Sequence, residues 1–450
     1  MTATLLAKEP ALNEARLEAM VEDIVAQARR QGASACEAAV SIESGLSVTV
    51  RMGEIETIEH NRDKGLGVTV YFGRRKGSAS TSDFTPVAIE QAVQAACTIA
   101  RYTAADEYAG LARKELMAKD IPDLDLYHPW HIDAEAAITL AEECESQARD
   151  TDKRITNSEG ATVSSHQGLR IYGNSHGFCG GYASTRHSVS CAVIARDDKG
   201  MQRDYWYSVA RDRLELEPAA EIGRHAAQRT LKRLGARRVK TQQAPVVFAA
   251  DVAASLLSHF ARAISGGNLY RHATFLEGQL GERVFPDSVH IYEYPHLKKA
   301  LGSTPFDNDG VATYTHDLVC DGMIKNYVLD TYAARKLGME STGNSGGFHN
   351  LLIDPGKLDL AGLLQQMHKG LLVTELMGMG VNIVTGDYSR GASGYWIENG
   401  AIAYPVEEIT IAGNLRDMFM QIKEVGNDVD IRGNIRTGSI LVDGITIAGT

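Results

Sequence analysis

Two segments of the sequence match the pattern G-x-S-x-G, Gly173-Asn174-Ser175-His176-Gly177 and Gly343-Asn344-Ser345-Gly346-Gly347. A serine nucleophile of that kind sits on a strained turn between a strand and a helix, where its hydroxyl faces the helix N-terminus. Neither segment offers the helix. The residues downstream, GFCGGYASTRHSVSCAV in one case and GFHNLLID in the other, read on as turn and strand, and turn chemistry accounts for the glycines and asparagines. One hydrolytic grouping stays open as an alternative: Ser175 with His176 and His187.

His176, Cys179 and His187 are also residue types that ligate zinc, and His128 and His131 lie three apart. Zinc needs three or four such ligands converging at about 2.0–2.3 Å. Neither group has a recognisable ligand spacing, so loop or core histidines are the expectation. No phosphate-binding loop, dinucleotide fingerprint or EF-hand loop occurs. Glycines are the more frequent signal. Gly346, Gly347, Gly378, Gly380, Gly386, Gly391 and Gly394 fall at expected strand ends and turns, where a missing side chain lets another backbone approach. A groove accepting an extended peptide by strand addition would use this, with Gly346, Gly347, Gly391 and Gly394 as candidate lining. Service in turns is the alternative.

The elements that would position these residues are set by periodicity. Asn13 to Gln31 has helical spacing, Gly45 to Asp83 reads as antiparallel hairpins, and Thr85 to Arg101 as a helix with Pro86 in its first turn. Ala118 to Trp130 has no period and two prolines, the mark of a linker. Asp133 caps a predicted helix to Arg149, Ala161 to Arg211 is β-rich, and a helix runs from about Pro218 to Leu234. PVVFA then leads into a helix over Asp251 to Ile264, capped by Asp251. The remainder, to Thr450, is mostly glycine-punctuated strand. The fold class is α+β: N-terminal helix-plus-antiparallel-sheet units, then a mainly β C-terminal domain with a closed or sandwiched sheet. The expected domains are 1–117, a linker over 118–132, 133–241 and 242–450.

With 450 residues, 44% of them apolar, the chain can bury several cores. A net charge of −11 repels phosphate backbones and anionic lipid, so neither nucleic acid nor membrane is an expected partner. The basic stretch Arg224 to Lys240 reads as the solvated face of a helix. Six cysteines without repeated spacing predict buried free thiols. No secretory signal or long apolar run is present, and a cytoplasmic location is the expectation.

Longer segments carry more information than these motifs. TELMGMGVNIVTGDYSRGASGYWIENGAIAYPVEEITIAGNL (Thr374 to Leu415), ITNSEG (Ile155 to Gly160), GNSHG (Gly173 to Gly177), STRHS (Ser184 to Ser188), STPFDNDGV (Ser303 to Val311) and YAARKLG (Tyr332 to Gly338) closely resemble the PmbA (TldE) branch of the TldD/PmbA metallopeptidase family, the modulator-of-gyrase type. With GLGVTVYFGRRKGSAS near the N-terminus, the similarity spans nearly the whole chain. The resemblance implies a cytosolic peptidase in which a TldD-type and a PmbA-type chain associate. It also implies unfolded peptides as substrates and a role in maturing peptide-antibiotic precursors. The catalytic member carries HExxxH on a helix and a cysteine near its C-terminus, which bind zinc while the glutamate activates water. Here the matching positions are Ser258, His259, Phe260, Ala261, Arg262 and Ala263, and the cysteine falls near Thr437. Ser258 and Ala263 stand where imidazoles would bind, His259 where the carboxylate would act, and Thr437 is a far poorer ligand than a thiolate. The resemblance therefore implies no catalytic or metal-binding residue and no cofactor in this chain. Zinc is expected in a TldD-like partner subunit. Two other readings remain: a hydrolase in its own right, and a homodimeric peptide binder.

Overall fold

The computed structural model describes residues 13–449; the start of the N-terminal stretch and the outer limits of the 1–117 and 242–450 units lie outside them. α1 (Glu14–Arg30) begins where the Asn13 side chain accepts the Arg16 N–H, and it buries Leu17, Val21, Ile24 and Ala28. Each fully buried Leu, Val or Ile contributes about 1.5–3 kcal/mol. β1 (Ala35–Arg51), β2 (Glu54–Phe72) and β3 (Arg75–Thr81) come next, then α2 (Pro86–Tyr102), capped by Thr85. β1 starts ten residues before the predicted hairpins, because its first half alternates on Cys36 and Ala38, small residues that give a weak strand signal.

Residues 118–132 contain no helix or strand, yet Leu124 and Leu126 are buried. Asp133 then caps α3 (Ala134–Asp150), and β4 (Ile155–Asn174), β5 (Cys179–Arg196), β6 (Met201–Ala210) and α4 (Ala219–Lys232) complete a second round of the same order. All six strands form one antiparallel sheet in the order β3-β2-β1-β4-β5-β6. β1 pairs with β4 from Glu37 opposite Asn174 to Val50 opposite Ala161, so the sheet continues across the 118–132 segment. The pleat sends alternate residues to opposite faces. Cys36, Ala38 and Val40 enter the core with α1 and α2; Leu46, Val48 and Val50 enter the core with α3 and α4. The intervening Glu37, Ala39, Ser41 and Glu43 point to the helix-free face.

The C-terminal unit runs β7 (Gln242–Phe248), α5 (Ala250–Ala263), α6 (Gly266–Leu269), β8 (Ile291–Glu293), β9 (His316–Cys320), β10 (Met323–Ile324), α7 (Thr331–Lys336), β11 (Leu351–Ile353) and α8 (Leu360–Met367). It ends with β12 (Gly370–Met377), β13 (Asp387–Glu398), β14 (Ala401–Asn414), α9 (Leu415–Met420), β15 (Ile422–Val425), β16 (Ile435–Arg436) and β17 (Ile440–Ala448). One sheet has the order β14-β13-β12-β7-β17-β15, and β14 also pairs with β17, which closes five strands into a barrel. The mixed fold and its closed sheet agree with the sequence reading. On β7, Val246 and Phe248 join the core that holds α5, while Val247 packs with α8.

Three local differences have physical causes. Residues 270–350 contain more loop and helix than predicted, because their apolar residues, such as Tyr327, Val328 and Leu329, enter the core from irregular backbone. α5 starts after Ala249, which makes no side-chain cap; Asp251 in its first turn instead faces Arg229, with 3.4 Å between charged atoms. The basic stretch is not a solvated face. Arg229 and Arg233 both reach Asp204, at 3.4 and 3.6 Å, and Arg233 also reaches Glu375 at 2.6 Å. Arg237 stacks 3.5 Å over Tyr404. These arginines fasten α4 and the segment after it to the barrel unit.

Candidate functional site

α5 carries Ser258, His259 and Ala263, three of the four positions that the sequence resemblance sets against a zinc site, and β16, which leads directly into Thr437, packs against α5. Ala263 is fully buried. Thr437 is buried too, and its hydroxyl donates to the Gly438 carbonyl at 2.8 Å. Ser258 is partly exposed. His259 packs edge-on against Tyr388, ring centroids 6.1 Å apart. Burial, and then the charges of Arg390 and Arg262, push the His259 imidazole down to about 4, which leaves it neutral at physiological pH. The same two guanidinium groups oppose a divalent cation at this place. A methyl, two hydroxyls and one arginine-flanked imidazole do not make a zinc donor set, which requires deprotonated, converging ligands. Among the described residues, no group of three or more His, Cys, Asp or Glu side chains could hold a metal ion.

The other candidates are dispersed. Ser175 lies in the turn after β4, its hydroxyl accepting the Cys36 N–H at 3.0 Å, with Arg29 bonded to its carbonyl. His176 turns to the Ala112 carbonyl, 3.1 Å away. His187 sits in mid-strand opposite Ser165, about ten residues of strand from Ser175, or roughly 30 Å. Both His187 nitrogens are occupied, by the Ser165 hydroxyl at 3.0 Å and the His128 carbonyl at 2.8 Å, and burial holds its pKa down. Cys179 lies beside α1, its thiol pushed up to about 11 by burial. Neither Ser175 with His187 nor the trio His176, Cys179 and His187 comes together. His128 pairs with Asp125 and Asp212, and His131 lines an open cavity with Asp133 and His60. Ser345, in the second glycine-rich segment, donates its hydroxyl to Asp309 at 2.9 Å.

The four glycines do not line one groove. At Gly394 the close approach is made by the chain's own Leu372 carbonyl, at Gly391 by Met377, and at Gly346 by Asn308; only Gly347 faces open space. The helix-free face of the N-terminal sheet offers more room. It carries a cavity of 540 Å³ lined by Ser41, Glu43, Gly65, Gly168, Arg170 and Tyr182, and beside it one of 390 Å³ floored by Glu37, Tyr172, Asn308 and Asp309. The signal for it was present in the sequence as the small and polar alternate positions of β1. What hid it was the absence of any cue as to which face the helices cover.

Where this sheet meets the barrel unit, carboxyl groups gather. Glu37 accepts from Tyr172 at 2.8 Å and Tyr71 at 3.1 Å, and burial raises its pKa. Asp307 accepts the backbone N–H groups of Asp309, Val311 and Ser345, each at 2.9 Å. Burial, with the neighbouring Asp309 charge second, pushes Asp307 up to about 7.

Three family models match in series: the PmbA/TldA metallopeptidase domain 1 over residues 36–100, the central domain over 127–234 and the C-terminal domain over 241–449. The metalloprotease PmbA of Escherichia coli O157:H7 is 51% identical over 92% of each chain. The chain belongs to the PmbA/TldD metallopeptidase family, on its PmbA/TldE branch. A PmbA homolog of Haemophilus influenzae is 49% identical over 100% of this chain and 98% of its own. A crystal structure from Bacteroides thetaiotaomicron, described as a modulator of DNA gyrase, superposes with a TM-score of 0.92 at 28% identity, over 97% of this chain and 99% of that one.

Proposed function

We propose that this chain is the non-hydrolytic subunit of a two-chain, cytoplasmic peptidase. It joins a TldD-like zinc-bearing chain, encloses unfolded or extended peptides, and contributes to maturing peptide-antibiotic precursors. The observation that carries this reading is the environment of α5: Ser258, Ala263 and Thr437 stand at the matched ligand positions, and Arg390 and Arg262 flank His259. The open face of the N-terminal sheet, with its small lining side chains, supports the peptide-handling part. A peptide laid there meets Glu43, Arg170 and Asp309 as polar contacts. No helix among the described residues is long and apolar enough to cross a membrane.

The test is reconstitution. The chain alone should cleave no unfolded peptide and retain no stoichiometric zinc after dialysis; with a TldD-like partner, chelator-sensitive cleavage should appear. Cleavage by the isolated chain that tracks bound zinc would sink the proposal. A stable homodimer that binds peptide and ignores the partner would replace it with the homodimeric reading.

A further inference from the structure

The C-terminal half of α5 gathers hydrogen-bonding groups and positive charge that nothing else in the described chain answers. Both imidazole nitrogens of His259 are buried without a hydrogen-bond partner, and the buried hydroxyl of Tyr388 has only the Arg390 guanidinium beside it. Tyr388 is only 1% exposed. Arg390 lies two residues further along β13, on the same face as Tyr388. Its Nε donates to the Gly378 carbonyl at 3.1 Å, and the rest of its guanidinium lies beside the Tyr388 hydroxyl. Arg262 is three residues beyond His259 on α5, a spacing that places the two side chains as neighbours. Among the described residues, no carboxylate pairs with Arg390 or Arg262. In a chain of net charge −11, two arginines without an acidic partner, Arg262 at the exposed rim, stand beside two orphaned imidazole nitrogens and a tyrosine hydroxyl.

The chemistry narrows the occupant. A buried polar group without a partner keeps its full desolvation penalty, so the two imidazole nitrogens point to something that bonds them. A cation is opposed by the arginines. Water bonds the hydroxyl and the imidazole and solvates the exposed Arg262, but it brings no counter-charge to the partly buried Arg390. An oxyanion answers the donors and the charges: it accepts from the tyrosine O–H and the one imidazole N–H, and pairs in parallel with a guanidinium fork. Beside Arg390 the Met377–Gly380 loop exposes apolar surface, with Met379 93% exposed, and methionine adapts to varied side chains.

We propose that His259, Tyr388, Arg262 and Arg390 form a carboxylate-binding site that anchors a peptide through its C-terminal or acidic side-chain carboxylate. This rests on the peptide-handling role above and gives it a chemical handle: the locus matching the partner's zinc site holds the substrate by charge.

Calorimetric titration of the isolated, full chain tests it with three probes: N-acetyl-tetraalanine as the free acid, the same peptide as the C-terminal amide, and an amidated peptide with one internal aspartate. The free acid should bind at least about tenfold tighter than the amide, the worth of a charge-assisted hydrogen bond. The aspartate probe tells a terminal from a side-chain carboxylate, and tight binding of either supports the site. Arg390→Gln and, independently, Arg262→Gln should each weaken binding about tenfold with unchanged circular dichroism, and Tyr388→Phe severalfold. Binding of both the free acid and the aspartate probe no tighter than the plain amide, or full binding by both arginine variants, overturns the proposal and leaves water as the occupant. Zinc binding that His259→Ala abolishes overturns it as well. Because no partner is present, carboxylate binding without assembly would sink only the two-chain reading, and assembly without carboxylate binding only this site.

Discussion

Asp307 and His259 are buried titratable side chains with opposite consequences. Asp307, 2% exposed, has a folded-state pKa near 7, above the 3.8 of an ordinary aspartate. The native state therefore keeps a proton that the unfolded chain has released, and between about pH 4 and 7 this group makes stability fall as pH rises. His259, lowered to about 4, does the reverse: the unfolded chain binds the proton first, so stability falls as pH drops from about 6.5 toward 4. The wild type minus Asp307→Asn difference isolates the first effect. Chemical unfolding across that range should show the aspartate variant losing less stability with rising pH than the wild type. At pH 5 the variant should also be weaker by about 1–3 kcal/mol, since an amide presents one acceptor oxygen and leaves a backbone N–H unpaired. An unaltered pH slope would show that Asp307 titrates normally. In sequence, Ser303 to Val311 reads only as a family segment; its burial against the N-terminal sheet was not legible, because the contacts come from distant strands.

Arg233 shows the same limit at the scale of elements. Its side chain is 12% exposed and joins Asp204 on β6 to Glu375 on β12, so it links the N-terminal sheet, through α4, to the barrel. Removing Arg233 leaves Glu375 unpaired and Asp204 with Arg229 alone, a loss bounded above by about 3–5 kcal/mol, the cost of breaking a fully buried pair. Arg233→Ala should lower the thermal midpoint and expose the α4 seam to proteolysis first; a shift typical of a surface pair, under about 1 kcal/mol, would refute that reading. Helix starts were legible where the signal is local: Asn13, Thr85 and Asp133 each place a side-chain oxygen on a nearby N–H. The seam was not, because a basic helix face looks the same in sequence whether its partners are water or the carboxylates of other elements, such as Asp204 on β6 and Glu375 on β12. β1 was half legible, since its second half, with Val48 and Val50, has the β-branched residues that Cys36 and Ala38 lack.

At the scale of the whole molecule, the mixed fold, its closed C-terminal sheet and its family were readable, the last because long segments agree over most of the chain. The locus at α5 was readable only as missing ligands; its surplus of positive charge required Arg390, brought from another element by the barrel. The sheet that joins β1 to β4 makes one structural body from residues on either side of 118–132. A protease site inserted after Lys119, which is exposed, should therefore yield two fragments that co-elute and unfold in a single transition; fragments that separate without denaturant would contradict this. That pairing also sets a timetable for synthesis. About a hundred residues lie between the end of β1 and the start of β4, so at roughly 5–20 residues per second the ribosome leaves β1 without its inner neighbour for some 5–20 s. During that interval a long strand with an unpaired edge is open to wrong partners, which makes the nascent chain a client for chaperones.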